Sequence, residues 1–122
     1  MLNDNAPIRV LVVEDEQLIA MMTEDMLEEI GCRVVATAHS LGSAVELAQS
    51  VEMDLAVLDV NLKGQESYPV ADQLREQGVP VIFLTGFGER GIAERFKEVP
   101  VLTKPFTQDA LREMVMNLKR GK

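Results

Sequence analysis

Short, nearly unbroken apolar runs recur along this chain, and between them lie stretches whose apolar residues step by three and four. The runs are Ile8–Val13, Val34–Ala38, Leu55–Leu58, Val79–Leu84 and Val99–Leu102. Strands exposed on one face alternate apolar with polar; continuous runs suit parallel strands covered on both faces. The intervening stretches read as helices. Ile19, Met22, Met26 and Ile30 share one face, and Gly31 stands where a left-handed residue ends a helix. Leu41, Ala44, Val45 and Ala48 follow Ser40, an N-cap type. Val70, Ala71 and Leu74 follow Pro69, which suits a first helical turn, and Gly78 closes that segment. Ile92, Ala93 and Phe96 predict a weaker, shorter helix, and Leu111, Met114, Val115 and Leu118 a last one capped by Thr107. Five strands alternating with five helices imply right-handed crossovers and a doubly wound parallel sheet.

Composition narrows the function. The chain has 122 residues, enough for one domain with one real core, and no linker or repeat divides it. Its formal net charge of −8 argues against a phosphate-backbone binder, and 4 % aromatic residues without Trp argue against a base-stacking platform. Nucleic acid is therefore not expected as a partner. A single cysteine, Cys32, excludes an internal disulfide framework and a Cys-based zinc site, and it reads as a small buried hydrophobe. Met1 to Asn5 lack the features of a signal peptide, and no run approaches a membrane span. A cytoplasmic protein without membrane contact is expected, with a short disordered N-terminus over about residues 1–6.

In an open α/β sheet, ligands sit beyond the carboxyl ends of the strands. Glu14, Asp15 and Glu16 follow the first run, Asp59 the third, Thr85 the fourth, and Thr103 and Lys104 the fifth. The second offers only His39 and Ser40. If the other four strands are neighbours, carboxylates, a hydroxyl and an ammonium meet on one rim. Packed carboxylates repel, and a hard divalent cation, most simply Mg²⁺, resolves the conflict. Lys104 adds a point charge for phosphate. Metal, carboxylate nucleophile, hydroxyl and lysine are the parts needed to accept a phosphoryl group.

At this point the sequence resembles the receiver domain of two-component response regulators over essentially its whole length. The matching pieces are Val12-Val13-Glu14-Asp15-Glu16, Leu58-Asp59-Val60-Asn61-Leu62, Leu84-Thr85-Gly86 and Thr103-Lys104-Pro105-Phe106. Each is weak alone; four in order at strand ends are specific. The resemblance implies a flavodoxin-like (βα)5 fold of strand order 2-1-3-4-5, a cis Lys104-Pro105 peptide, and Asp59 as phospho-acceptor. It implies Mg²⁺ held by Glu14, Asp15 and Asp59 with the Asn61 backbone carbonyl, and Thr85 and Lys104 on the phosphoryl oxygens. Phe83-Leu84-Thr85-Gly86-Phe87-Gly88 and Asp59-Val60-Asn61-Leu62-Lys63-Gly64 further resemble the FATGUY subgroup, associated with HWE or HisKA2 sensor kinases. Val101 replaces the usual aromatic switch residue, so the expected exit for the signal is the segment Thr85–Phe96. Asn61 and Phe87 are expected to flank the site.

The implied protein is a stand-alone receiver over residues 1–122, a phospho-acceptor rather than an enzyme, phosphorylated by a sensor histidine kinase and acting through an unknown downstream protein. Blander readings stand beside each residue. Asp59 alone could cap a loop, Thr85 could satisfy a turn, and Lys104 could be a surface lysine. Glu16 reads as a solvated helix start and His39 as a loop histidine, while Met21, Met22 and Met26 read as packing. Tyr68 before Pro69 has no reading. The rival functions are an unphosphorylated receiver-like adaptor and a flavin-binding flavodoxin, the latter disfavoured by the acidic turn after the first strand.

Overall fold

The computed structural model describes residues 6–86 and 91–121. The expected N-terminal disorder falls almost wholly outside them. A parallel five-stranded sheet is built from β1 (Arg9–Val13), β2 (Arg33–Ala38), β3 (Leu55–Asp59), β6 (Val81–Thr85) and β7 (Val101–Thr103). Their order is β2-β1-β3-β6-β7, the expected flavodoxin-like 2-1-3-4-5 arrangement. Between β3 and β6 lies a small antiparallel pair, β4 (Asn61–Leu62) and β5 (Gln65–Glu66), which the apolar pattern does not signal. Its turn places Lys63 at φ 53° and Gly64 at φ 87°, the two left-handed residues a tight hairpin needs.

The strand period divides the core in two. Leu11, Val13, Ala56, Leu58 and Phe83 face α2 (Leu41–Ser50) and α3 (Tyr68–Glu76). Val10, Val12, Val57, Ile82 and Leu84 face α1 (Gln17–Ile30) and α4 (Gln108–Gly121), meeting Leu27, Leu111 and Val115. Both faces being covered, the strands read as continuous apolar runs. Helix ends follow the expected chemistry. Gly31 takes φ 109° after α1, the Ser40 hydroxyl accepts from Ser43 N–H at 3.2 Å, and the Thr107 hydroxyl accepts from Ala110 N–H at 3.1 Å.

One expected helix is absent. Where Ile92, Ala93 and Phe96 suggest a helix, the chain makes a single 3-10 turn, Glu94–Phe96, so the described residues contain four α-helices rather than five. A three-residue turn cannot offset the cost of nucleating a helix, and this segment is instead held from outside by side chains.

At the amino ends of the strands, Asp54 ties β3 to β1. Its carboxylate accepts from Arg9 N–H at 2.9 Å, Nε at 3.0 Å and Nη2 at 3.0 Å. The hydrogen bond from Arg9 outweighs burial and holds the Asp54 carboxyl below its ordinary value. A depressed carboxyl stabilises the fold above its unfolded value of about 3.9, and that contribution is lost as pH falls through the folded one. Urea midpoints of the wild type and Asp54→Asn should therefore differ at pH 7 and converge toward pH 3. A gap that widens on acidification would contradict this.

Candidate functional site

Four neighbouring strand ends assemble the site because register aligns them. Val13 lies beside Leu58, Asp59 beside Leu84, and Thr85 beside Thr103. Glu14, Asp59, Thr85 and Lys104 therefore leave the sheet on one rim. Glu14 is fully buried, and Asp59 and Thr85 are nearly so. Lys104 Nζ stands between the two buried carboxylates, 2.7 Å from Asp59 Oδ2 and 2.9 Å from Glu14 Oε1. The first contact is a hydrogen bond. The second has ion-pair distance without hydrogen-bond angles, so Glu14 Oε1 has a charge beside it but no directed donor.

The remaining partners are backbone groups. Asp59 Oδ1 accepts from Asn61 N–H at 3.1 Å, and Glu14 Oε2 accepts from Glu16 N–H at 3.2 Å. Lys104 N–H donates to the Thr85 carbonyl at 2.8 Å, joining the last two strand ends, and the Lys104-Pro105 peptide is cis. Burial raises the Glu14 carboxyl to about 7; Lys104 pulls it down and the charge of Asp59 pushes it up. For Lys104, burial opposes the charge, but the facing carboxylates of Asp59 and Glu14 prevail and hold the ammonium above its ordinary value.

Glu14, Asp15 and Asp59 each offer a carboxylate oxygen within 4.8 Å of the others. Three carboxylates against one ammonium leave an excess of negative charge, and Glu14 Oε1 is buried without a donor. An all-oxygen, charge-rich set of this kind fits a hard divalent cation such as Mg²⁺.

The sequence-derived residues Glu14, Asp15, Asp59, Thr85 and Lys104 thus meet on one rim, with Asn61 contributing its N–H to Asp59. The Asn61 side chain turns away from that contact: its Oδ1 accepts from Gly64 N–H at 2.7 Å and shapes the hairpin. Glu16 is exposed, as a solvated helix start should be. Phe87, like part of the expected signal segment, lies outside the described residues. Val101 is partly buried and leaves β7 without an aromatic ring.

Tyr68, which sequence reasoning left without a reading, has a definite place. Its hydroxyl accepts from Ala93 N–H at 2.9 Å and donates to the Gly91 carbonyl at 3.3 Å. Only the long-range packing of α3 against residues 91–96 reveals this, and no local signal in the sequence encodes it.

Parallel order 2-1-3-4-5 with carboxylates and a lysine at adjoining strand ends defines a receiver-type protein. The chain belongs to the response regulator receiver domain family, which it matches over residues 10–116. It is 35 % identical over 105 residues to the transcriptional regulatory protein PdtaR of Mycobacterium tuberculosis, covering 83 % of this chain and 51 % of that protein. The chain thus spans about half the length of that curated relative. The solution structure of SdrG from Sphingomonas melonis Fr1 superposes with a TM-score of 0.83 at 40 % identity, covering 94 % of this chain and 98 % of that one. The receiver domain of Erythrobacter litoralis PhyR gives 0.84 at 28 % identity, covering 94 % and 92 %. No helix among the described residues is long and apolar enough to cross a membrane.

Proposed function

We propose that this receiver accepts a phosphoryl group from the phosphohistidine of a sensor histidine kinase onto the Asp59 carboxylate, in the presence of Mg²⁺. The observation that carries the reading is the Lys104 ammonium set between Asp59 and the buried Glu14, with Asp15 close by. In the transfer, the phosphorus–nitrogen bond of the donor breaks and a phosphorus–oxygen bond to Asp59 forms, giving an acyl phosphate. Lys104 holds the acceptor oxygen in place and faces the charge that arrives. Glu14, Asp15 and Asp59, with the Asn61 carbonyl, would hold the cation. When bound, the cation neutralises charge on the phosphoryl oxygens. Thr85, nearly buried at the same rim, is the hydroxyl for a phosphoryl oxygen.

On this reading the chain is a signalling acceptor acting in the cytoplasm, catalysing only its own phosphorylation and dephosphorylation. Its output passes to another protein through direct contact. Support comes from relatives: SdrG, 40 % identical, has a structure in a BeF3-activated conformation, and Bartonella quintana PhyR, 29 % identical, is described as an anti-anti-sigma factor. The Leu84-Thr85-Gly86 and Asn61-Leu62-Lys63-Gly64 segments support assignment to the FATGUY subgroup, with an HWE or HisKA2 kinase as donor. An unphosphorylated adaptor would leave the buried carboxylate pair without a task.

Incubation with phosphorylated kinase, followed by mapping of the modified residue, tests the reading; phosphate on any residue other than Asp59 overturns it. Millimolar Mg²⁺ should also raise the melting temperature, because it binds the folded site alone and relieves repulsion there. Asp15→Asn should shrink that rise, and superimposed melting curves of the wild type with and without Mg²⁺ would count against the metal site.

A further inference from the structure

The end of β2 grips the turn that carries the acidic residues. Glu14 N–H donates to the Ala38 carbonyl at 2.9 Å, and His39 Nδ1 lies 3.0 Å from the Glu14 carbonyl oxygen. A carbonyl oxygen only accepts, so Nδ1 carries the proton in this contact, whether the ring is neutral or an imidazolium. Both peptide units that flank the Glu14 Cα are thereby tied to β2.

The three clustered carboxylates are not held alike. Glu14 has Lys104 and the Glu16 N–H, and Asp59 has Lys104 and the Asn61 N–H. The Asp15 carboxylate, half-buried, has no hydrogen bond or ion pair among the described residues. Its direction therefore depends on its backbone, above all on the peptide unit joining Glu14 to Asp15. The oxygen of that unit is the one His39 holds.

We propose that His39 is a positioning residue for the acidic centre: its Nδ1–H fixes the Glu14–Asp15 peptide and so aims Asp15 at a divalent cation. This rests on the reading of the centre as a Mg²⁺ site. His39 touches neither cation nor phosphoryl group in this role. Groups that orient a ligand from behind typically change metal affinity by factors of about 10 to 100. An exposed hydrogen bond to the backbone should do less, since water can take over part of it.

The test titrates the full chain with Mg²⁺ by calorimetry, using His39→Phe, a ring without a donor, and His39→Asn, whose amide can present an N–H near the place of Nδ1–H. His39→Phe should raise the Mg²⁺ Kd by about three- to tenfold, and His39→Asn should restore most of the affinity. Because the side chain is exposed, melting temperatures without Mg²⁺ should stay close to wild type for both. Equal affinity in wild type and His39→Phe overturns the proposal. So does His39→Asn binding as weakly as His39→Phe, since the loss would then not be that of the donor. The control is Asp15→Asn. A wild type that binds no Mg²⁺ overturns the metal reading and this inference with it. A wild type that binds, an Asp15→Asn that does not, and an unchanged His39→Phe overturn the positioning role alone.

Discussion

Asp59→Asn should reduce phosphoryl acceptance from a phosphorylated kinase by on the order of 10³-fold or more while leaving the fold intact. The substitution keeps the shape of the side chain and an oxygen for the Asn61 N–H or Lys104. It removes the negative charge that makes the carboxylate a nucleophile. The fold should tolerate it because Asp59 sits at the carboxyl end of β3, past the residues that fill the two cores. Electrostatics favours the variant further. The charge of Asp59 is one of the influences pushing the buried Glu14 carboxyl up to about 7, so its loss leaves Lys104 to serve Glu14 alone. The thermal midpoint should therefore equal or exceed that of the wild type. Intact-mass measurement after reaction with phosphorylated kinase checks the first expectation and thermal melting the second. Wild-type phosphorylation of Asp59→Asn would remove Asp59 from the role.

What the sequence made legible were the features that repeat or adjoin. The five strands announce themselves because both faces are covered, and every side chain from Val10 to Val13 must be apolar. Once the strands are placed, each site residue is found by its position at a strand end. Glu14, Asp59, Thr85 and Lys104 need no further information, since parallel register brings those ends together. The caps at Ser40 and Thr107 and the left-handed Gly31 are equally local. Illegible features depend on contacts distant in sequence. Ile92, Ala93 and Phe96 have helical spacing, yet the chain there is fixed by Tyr68 and Phe83 rather than by its own ladder. The Asn61–Glu66 hairpin escapes notice because its strands are two residues each and lack an apolar run. The tie from His39 to the Glu14 carbonyl links residues that lie 25 positions apart.

Phe96→Ala should cost about 3–5 kcal/mol, the largest stability loss expected of any single truncation outside the sheet. The ring is almost wholly buried, stacked on Tyr68 at 5.2 Å between centroids and edge-on to Phe83 at 5.4 Å. The Arg75 and Arg95 guanidinium groups lie over it at 4.5 and 4.8 Å. Arg95 is itself clamped by Asp72 at 2.8 and 3.1 Å, and Arg75 donates to the Arg95 carbonyl at 3.0 Å. The stretch 91–97 is thus fastened to α3 chiefly through side chains. Removing the ring leaves a cavity against Phe83 and strips the stack from Tyr68 together. Tyr68→Phe separates the two contributions. It keeps the stack but leaves Ala93 N–H without its acceptor, and should cost about 1–2 kcal/mol. Amide exchange locates the damage. Ala93 and Lys97 should exchange faster in both variants by more than global destabilisation accounts for, while β1 amides follow global unfolding. A loss below about 1 kcal/mol in Phe96→Ala, with Ala93 still protected, would mean that the segment holds itself and that α3 is not its anchor.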